Sequence, residues 1–310
     1  MILYGAGLAG LLAGNILRKY HPKIYEAQSE LPNNHSALLR FRTSDVGTAC
    51  SIPFKRVKVS KAIKSDKGII AQPNLYYSNM YSQKVTNSVL SRSIDNLETV
   101  ERYIAPENII SQMASDCNIV YDYKVNGLDI IHNREKVPLI STLPMPTLMK
   151  IIKWKDIPEF PYQEIWTQKA IIDSPEVDIH QTIYYPDPNV NHYRISVIGN
   201  IVISESIKKP DANAGSHIMS ALYDDFGFRA NKLINLEDSY QKYGKIRPIN
   251  EKLRKEFIYE MTSEYNIYSI GRFATWRQLL LDDVVNDIQV IEKFISKNSN
   301  YEKWMHKNGT

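Results

Sequence analysis

Cysteine is nearly absent from this 310-residue chain: Cys50 and Cys117 are its only two. Neither lies in a C-x-x-C or zinc-like spacing, so no disulfide framework and no cysteine metal site is expected. Two free, buried thiols suit a reducing compartment, and the expected location is the cytoplasm. Long apolar runs are missing as well. No stretch reaches the roughly 18 residues that span a bilayer, so no membrane partner is expected. The chain enters a strand at once, with no basic region before it, which argues against a secretory signal. Also missing are a Ser-His-Asp pattern, an H-E-x-x-H helix and any cluster of metal ligands. Demanding chemistry would have to come from an organic cofactor.

What is present is ordinary globular material. Hydrophobic residues make up 43% and charged residues 23%, enough for a sizeable core in two lobes rather than a disordered chain. A net charge of +4 leaves room for a small polar or anionic substrate or a nucleic acid, beside the plainer reading of a solvated surface. Twenty tyrosines fit either packing or stacking platforms.

Hydrophobic periodicity predicts a strand over 1–4, a helix over 11–20 and a strand over 23–25, a compact βαβ unit. Strands are expected from Ile52 to Ser60, from Asn118 to Val125, from Gly127 to Ile131 and from Val137 to Thr142. A helix is expected from Pro106 to Ser115, and residues 74–98 read as helical or irregular. Strand signals dominate from Tyr162 to Ser206, predicting an antiparallel sheet in a second lobe. A helix near 210–227, a strand over 265–270 and a long helix over 275–295 complete the pattern, before a polar tail from Lys297 to Thr310.

The first turn carries the clearest chemistry. Gly5-Ala6-Gly7-Leu8-Ala9-Gly10 fits G-x-G-x-x-G between a strand and a helix. Gly5 permits a tight turn, Gly7 lets the backbone approach a pyrophosphate, and Gly10 lets helix and strand pack closely. Phosphates would then sit at the helix N-terminus, where free N–H groups favour negative charge. Glu26 ends the second strand, where its carboxylate can accept from ribose hydroxyls and disfavours a 2′-phosphate.

The arrangement resembles the FAD-binding superfamily that includes amine oxidases, protoporphyrinogen oxidase and UDP-galactopyranose mutase. Three further segments carry the resemblance. Val120 to Val125 looks like the strand whose backbone, near Val125, meets adenine. Ile140-Ser141-Thr142-Leu143-Pro144 looks like the return into the cofactor domain. Ile270-Gly271-Arg272-Phe273-Ala274, followed by Trp276, looks like the C-terminal flavin motif, with a helix beginning near Ala274. The resemblance implies an α/β fold: a Rossmann-like, GR2-type FAD-binding domain of residues 1–160 and 240–310, and a substrate-binding β lobe of 161–239. It implies FAD as cofactor, held by Gly5, Ala6, Gly7, Leu8, Ala9, Gly10, Glu26, Arg40, Val125, Thr142, Gly271, Arg272 and Trp276.

His35 to Arg42 would turn back over the cofactor, although Asn33-Asn34-His35 stands where glycines are common in that superfamily. Arg40 and Arg42 share strand parity, so both are expected on one side. They could hold a phosphate or carboxylate, or one could serve the cofactor and one the surface. His35 is either a proton donor or a turn residue. Lys55, Arg56 and Lys58 could extend an anion-binding surface or form a solvated strand edge. Tyr184, Tyr185, His192 and Arg194 could line the substrate pocket or simply pack across strands. His35, Arg42, Tyr185 and Arg194 are the catalytic candidates. Of Asp282 and Asp283, adjacent in the last helix, at most one is expected to face a given partner.

The function expected is a flavoenzyme oxidising a C–N or C–C bond in a soluble polar substrate. A mutase-like enzyme without net redox change and a non-catalytic dinucleotide-binding scaffold are the other readings. The chain also resembles compact flavoproteins encoded in bacteriophage genomes, which implies a further alternative: an FAD-dependent lyase or oxidase acting on a modified nucleotide or hypermodified DNA base.

Overall fold

The computed structural model describes residues 1–32, 35, 39–90, 94–174 and 178–297. Asn33, Asn34, the run 36–38 and the tail from 298 onward lie outside the described residues. In chain order the first elements are β1 (Ile2–Tyr4), α1 (Leu8–Ile16), β2 (Lys23–Tyr25), β3 (Arg40–Phe41), α2 (Asp45–Cys50), β4 (Lys55–Ser65) and β5 (Gly68–Ile70). There follow α3 (Leu75–Thr86), β6 (Val100–Ile104), α4 (Ile109–Ala114), β7 (Asn118–Val120), α5 (Gly127–Asn133), β8 (Leu139–Ser141) and α6 (Met145–Ile151). Next are β9 (Tyr162–Asp173), β10 (Ile179–Tyr184), β11 (His192–Gly199), β12 (Ile201–Ser206) and α7 (Ala214–Asp224). The last are β13 (Lys232–Ile246), α8 (Glu251–Ser263), β14 (Ile267–Ser269) and α9 (Leu281–Lys297).

Five short strands form a parallel sheet in the order β14-β8-β1-β2-β7. Successive side chains point to opposite faces, so each strand feeds two cores. Leu3, Ile140 and Tyr268 join α1 and α9 on one face, while Tyr4, Leu139 and Ile267 join α6 and α8 on the other. The chain leaves β1 towards β2 on one side and has β8 on the other. In such sheets that switch point, at the carboxyl ends of the strands, is where ligands bind.

The second sheet runs β13-β9-β12-β11-β10-β4-β6-β3, with β5 paired to β4. Its pairs are antiparallel except β10 with β4. It is wider than the 162–206 pattern suggested, because β3, β4 and β6 join it from residues 40–104. Strand β13 runs unbroken through residues 239 and 240. One face carries Ala170, Ile172, Ile183, Ile195 and Val197 against α7. At one end of the opposite, inner face, Ile63, Tyr184 and Tyr193 pack on Tyr81 and Val85 of α3.

Several expectations are corrected. Residues 127–131 form a helix rather than a strand. Asn126 accepts from the N–H groups of Leu128 and Asp129 while Asp129 accepts from the Asn126 N–H, a capping box that fixes the helix start. The helix expected from Pro106 starts at Ile109. The final helix starts at Leu281, not at 274–275: Thr275 and Arg277 N–H groups turn back to Gly271 and Arg272, and Trp276 adopts φ +48°. Helices α6 and α8 and strand β13 had no expected counterpart. Among the described residues no helix is long and apolar enough to cross a membrane, and no group of metal-ligating side chains forms. Cys50 and Cys117 are free and half-buried, and burial pushes their thiols up to about 12 and about 11.

Candidate functional site

The glycine turn stands at the switch point of the parallel sheet. Gly5 has φ +93°, and a Cβ there would overlap the Thr142 hydroxyl. Thr142 follows β8, and its Oγ1 donates to the Tyr4 and Gly5 carbonyls at 3.0 and 3.2 Å. A Cβ on Gly10 would overlap the Gly5 carbonyl oxygen, so this residue sets how closely α1 approaches β1. Gly7 is different: a Cβ there meets nothing within 4 Å. Space therefore lies open in front of it. Helix α1 starts at Leu8, three residues earlier than periodicity suggested, with Gly7 as its cap. It has neither a side-chain cap nor an acid in its first turn. The Leu11 N–H makes the first bond back, to the Gly7 carbonyl, leaving those of Leu8, Ala9 and Gly10 without an intrahelical acceptor. Such an end favours an anion.

Glu26 is bound into the same turn. Its carboxylate accepts the Ala6 N–H at 2.7 Å and the Gln28 N–H at 3.0 Å, and each oxygen keeps acceptor capacity. The backbone of Tyr123 donates to the Glu26 carbonyl at 2.8 Å, drawing the segment that ends at Val125 alongside Glu26. Val125 packs against the core around Tyr4.

The C-terminal segment closes the turn from above. Gly271 has φ +84°, and a Cβ on it would come 2.9 Å from the Cβ of Ala9. The Ile270 N–H donates to the Ser141 carbonyl at 3.0 Å, so β14 delivers Gly271 beside Thr142. Gly5, Gly7, Ala9, Thr142 and Gly271 thus converge from the carboxyl ends of three neighbouring strands. Arg272 reaches the Gly244 carbonyl at 3.5 Å, and its guanidinium stands 5.8 Å from the Phe273 ring. Trp276 is buried among Phe160 and Tyr243, and its indole N–H donates to the Arg247 carbonyl at 2.9 Å. The structure therefore does not bring Trp276 into the group around the glycine turn.

Arg40 and Arg42 diverge, against the expectation from parity, because β3 ends at Phe41. Arg40 reaches the second sheet, where its Nη2 donates to the Thr182 hydroxyl and, at 3.3 Å, to Ser196. Arg42 turns to the start of α9 and contacts both Asp282 and Asp283. That corrects the expectation that only one of the two aspartates faces a given partner. Asp282 is buried and takes the N–H groups of Arg42 and Thr43, and Asp283 takes the guanidinium, which is long enough to span both.

The inner face of the second sheet forms a cleft against α4. His35 and Leu39 stand on one side, with Ile198, Ile201 and Ile203 on the other, around roughly 200 Å³ of cavity. His35 also lines a second opening with Thr167 and Lys169. Lys169 bridges to Glu107 at 2.8 Å and Lys55 to Asp178 at 2.9 Å, while Arg56, on the other face, pairs with Glu101. Tyr184 and Arg194 lie opposite each other on the inner face. Arg194 is paired with buried Glu205, which also accepts from the Tyr193 hydroxyl at 3.0 Å. Burial opposes both charges, but each outweighs that for the other: the guanidinium stays well above its ordinary value and the carboxyl below its own. Tyr185 and His192 occupy the other face, in edge contact at 4.3 Å, with the Tyr185 hydroxyl on Asp225. The four are therefore not one pocket. Thr182 and Ser196 were not singled out from sequence. The signal was a hydroxyl among apolar residues at inward positions of two adjacent strands.

No family model and no curated protein sequence matches the chain. Solved structures match its fold. A crystal structure of reduced UDP-galactopyranose mutase superposes with a TM-score of 0.72 at 12% identity, over 100% of this chain and 98% of that one. An oxidoreductase from Methanosarcina mazei gives 0.57 at 11%, over 94% and 99%. A flavin-dependent brominase gives 0.55 at 12%, over 99% and 81%. The chain thus has the Rossmann-type α/β fold with a second, curled sheet that the glycine turn and the return segments led one to expect.

Proposed function

We propose that this chain is a flavoenzyme that binds FAD at the glycine turn. The observation that carries the reading is the closure of that turn by the far end of the chain: Gly271 lies against Ala9 while the space in front of Gly7 stays open. The residues present fit the group. The N–H groups of Leu8, Ala9 and Gly10 would take the pyrophosphate, and Glu26 would take ribose hydroxyls with the acceptor capacity left after Ala6 and Gln28. Bound flavin supplies a two-electron acceptor that no side chain provides. The protein's part is to orient the substrate in the cleft between His35 and the inner sheet face, and to keep water from it with Ile198, Ile201 and Ile203. His35, which lines the cleft, would hold or move a proton at its imidazole.

The reaction that fits is oxidation of a C–N or C–C bond in a polar substrate. A second reading, a mutase-like reaction without net redox change, is favoured by the match along nearly the whole of both chains with UDP-galactopyranose mutase. Purified protein should be yellow and should release FAD on denaturation. Protein that is colourless and cannot be reconstituted with FAD sinks both readings. Anaerobic bleaching by a panel of amines and hydroxy compounds then separates them, since a non-redox substrate leaves the colour unchanged.

A further inference from the structure

Three cations on the inner face of the second sheet have no carboxylate bonded to them among the described residues. Arg40 is held only by the hydroxyls of Thr182 and Ser196. Lys61 donates to the Asn96 carbonyl at 2.9 Å, and Arg102 to the Glu101 carbonyl at 2.6 Å. The neighbouring cations are all compensated: Lys55 by Asp178, Arg194 by Glu205 and Lys169 by Glu107. Strand register brings the three together. Lys61 lies opposite Thr182, which carries Arg40. Arg102 lies opposite Val57, which shares the face of Lys61 on β4. They are near enough to repel. Burial first, then Arg194 and to a lesser degree Arg102, brings the Arg40 guanidinium down to about 10, with Tyr184 and Glu205 opposing. Burial, Arg102 and Arg40 lower Lys61, with Glu98 opposing weakly.

A fold that keeps three half-buried cations on one sheet face, none bonded to a carboxylate among the described residues, loses stability to their repulsion unless an anion joins them. The cluster adjoins the cleft: Ser196 is opposite Ile203, and Thr182 is two residues from His180, both cleft residues. We propose that Arg40, Lys61 and Arg102 bind a phosphoryl group of the substrate at the edge of this cleft. A monocarboxylate brings one charge and two oxygens. A phosphoryl group brings up to two charges and three oxygens, which matches two guanidinium groups and an ammonium. The cofactor's own phosphates do not explain the cluster, since Arg40 turns to the second sheet and not to the glycine turn. The proposal rests on the flavoenzyme reading only in assigning the phosphoryl group to a substrate.

Calorimetric titration of the purified protein at low salt tests it, with inorganic phosphate, pyrophosphate, acetate and succinate as probes. Saturable binding of pyrophosphate or phosphate is expected, at least tenfold tighter than succinate. Arg40→Met and Lys61→Met should each weaken it about tenfold or more, as loss of a charge-assisted contact does. Arg40→Lys, which keeps the charge and loses the fork, should fall between, and it replaces Arg40→Met if that variant fails to fold. Arg56→Met, on the opposite face and paired with Glu101, should bind as the parent does. The proposal is overturned by absence of saturable phosphate heat, by succinate binding as tightly, or by parental affinity in the Arg40 and Lys61 variants. That last result would place the phosphate at the glycine turn. Loss of flavin colour in Arg40→Met with unchanged phosphate affinity would make Arg40 a cofactor residue. Flavin content is read separately: colourless protein that still binds phosphate through Arg40 and Lys61 removes the flavoenzyme reading and leaves the subsite.

Discussion

Around the parallel sheet the decisive contacts are between backbones. Gly10 lies against the Gly5 carbonyl, Gly271 against Ala9, and Thr142 ties the end of β8 to the end of β1. Around the second sheet they are between ionised side chains: Arg194 with Glu205 on the inner face, Lys64 with Asp225 on the outer one. The first region excludes side chains and leaves the space in front of Gly7 open. The second pairs most ionised groups of its inner face with partners, while among the described residues Arg40, Lys61 and Arg102 have no carboxylate bonded to them.

The contrast predicts that neighbouring glycines respond in opposite ways. Gly10→Ala forces α1 off β1 and should cost about 3 kcal/mol or more, near the upper range of overpacking penalties. Gly7→Val has open space at its Cβ and loses only some capping preference, so it should cost no more than about 1 kcal/mol. Its isopropyl group would occupy the ground proposed for the pyrophosphate, so flavin should be lost from a folded protein. Chemical denaturation and the visible spectrum read the two effects apart. A stable, yellow Gly7→Val protein would mean that the phosphates bind elsewhere.

An effect of comparable size belongs to the second sheet. Glu205→Ala strands the Arg194 guanidinium in a buried site and should cost about 3–5 kcal/mol. Asp178→Ala removes an exposed partner of Lys55 and should cost about 0.5 kcal/mol or less. Equal effects in denaturant would show that Glu205 is solvated and that the two regions do not differ in kind.

The same contrast decides what could be read from the sequence. Gly5, Gly7, Gly10, Glu26, Thr142 and Gly271 were legible because each position is fixed by local backbone geometry, and few residue types satisfy it. The second sheet was legible as strands over 162–206, where alternation is regular. Strand β13 was not, because Glu237, Asp238, Ser239 and Gln241 place polar groups on both of its faces. The run 127–131 reads as a strand by hydrophobicity, yet the Asn126–Asp129 capping box makes it helical. The divergence of Arg40 and Arg42 depends on where β3 stops, and the pairing of Arg42 with Asp282 and Asp283 crosses some 240 residues. No local pattern encodes such a contact.

A further effect lies on the outer face of the second sheet and appears with pH. Burial first, then Lys84 and His217, pushes the His192 imidazole from 6.5 down to about 4. A group that binds its proton less well folded than unfolded contributes stability that is complete above the unfolded value and is lost as pH falls through the folded one. The window therefore runs from about pH 6.5 to about pH 4. The shift sets the loss on the order of 2–3 kcal/mol. Lys84, whose Nζ donates to the carbonyls of Tyr185, Asp187 and His192 at 2.8 Å each, is lowered by burial to about 7 and is already mostly protonated at the top of that window. Carboxylates do titrate near its acid end, so a difference between two proteins isolates the imidazole. His192→Phe keeps a ring against Tyr185 and cannot take up the proton. Denaturation free energies of parent and variant should run parallel above pH 7 and separate below pH 6, with the variant losing less. Parallel curves down to pH 4 would place the acid sensitivity on Glu205 and Arg194 instead, and would move the weak point from the outer face of the sheet to the inner one.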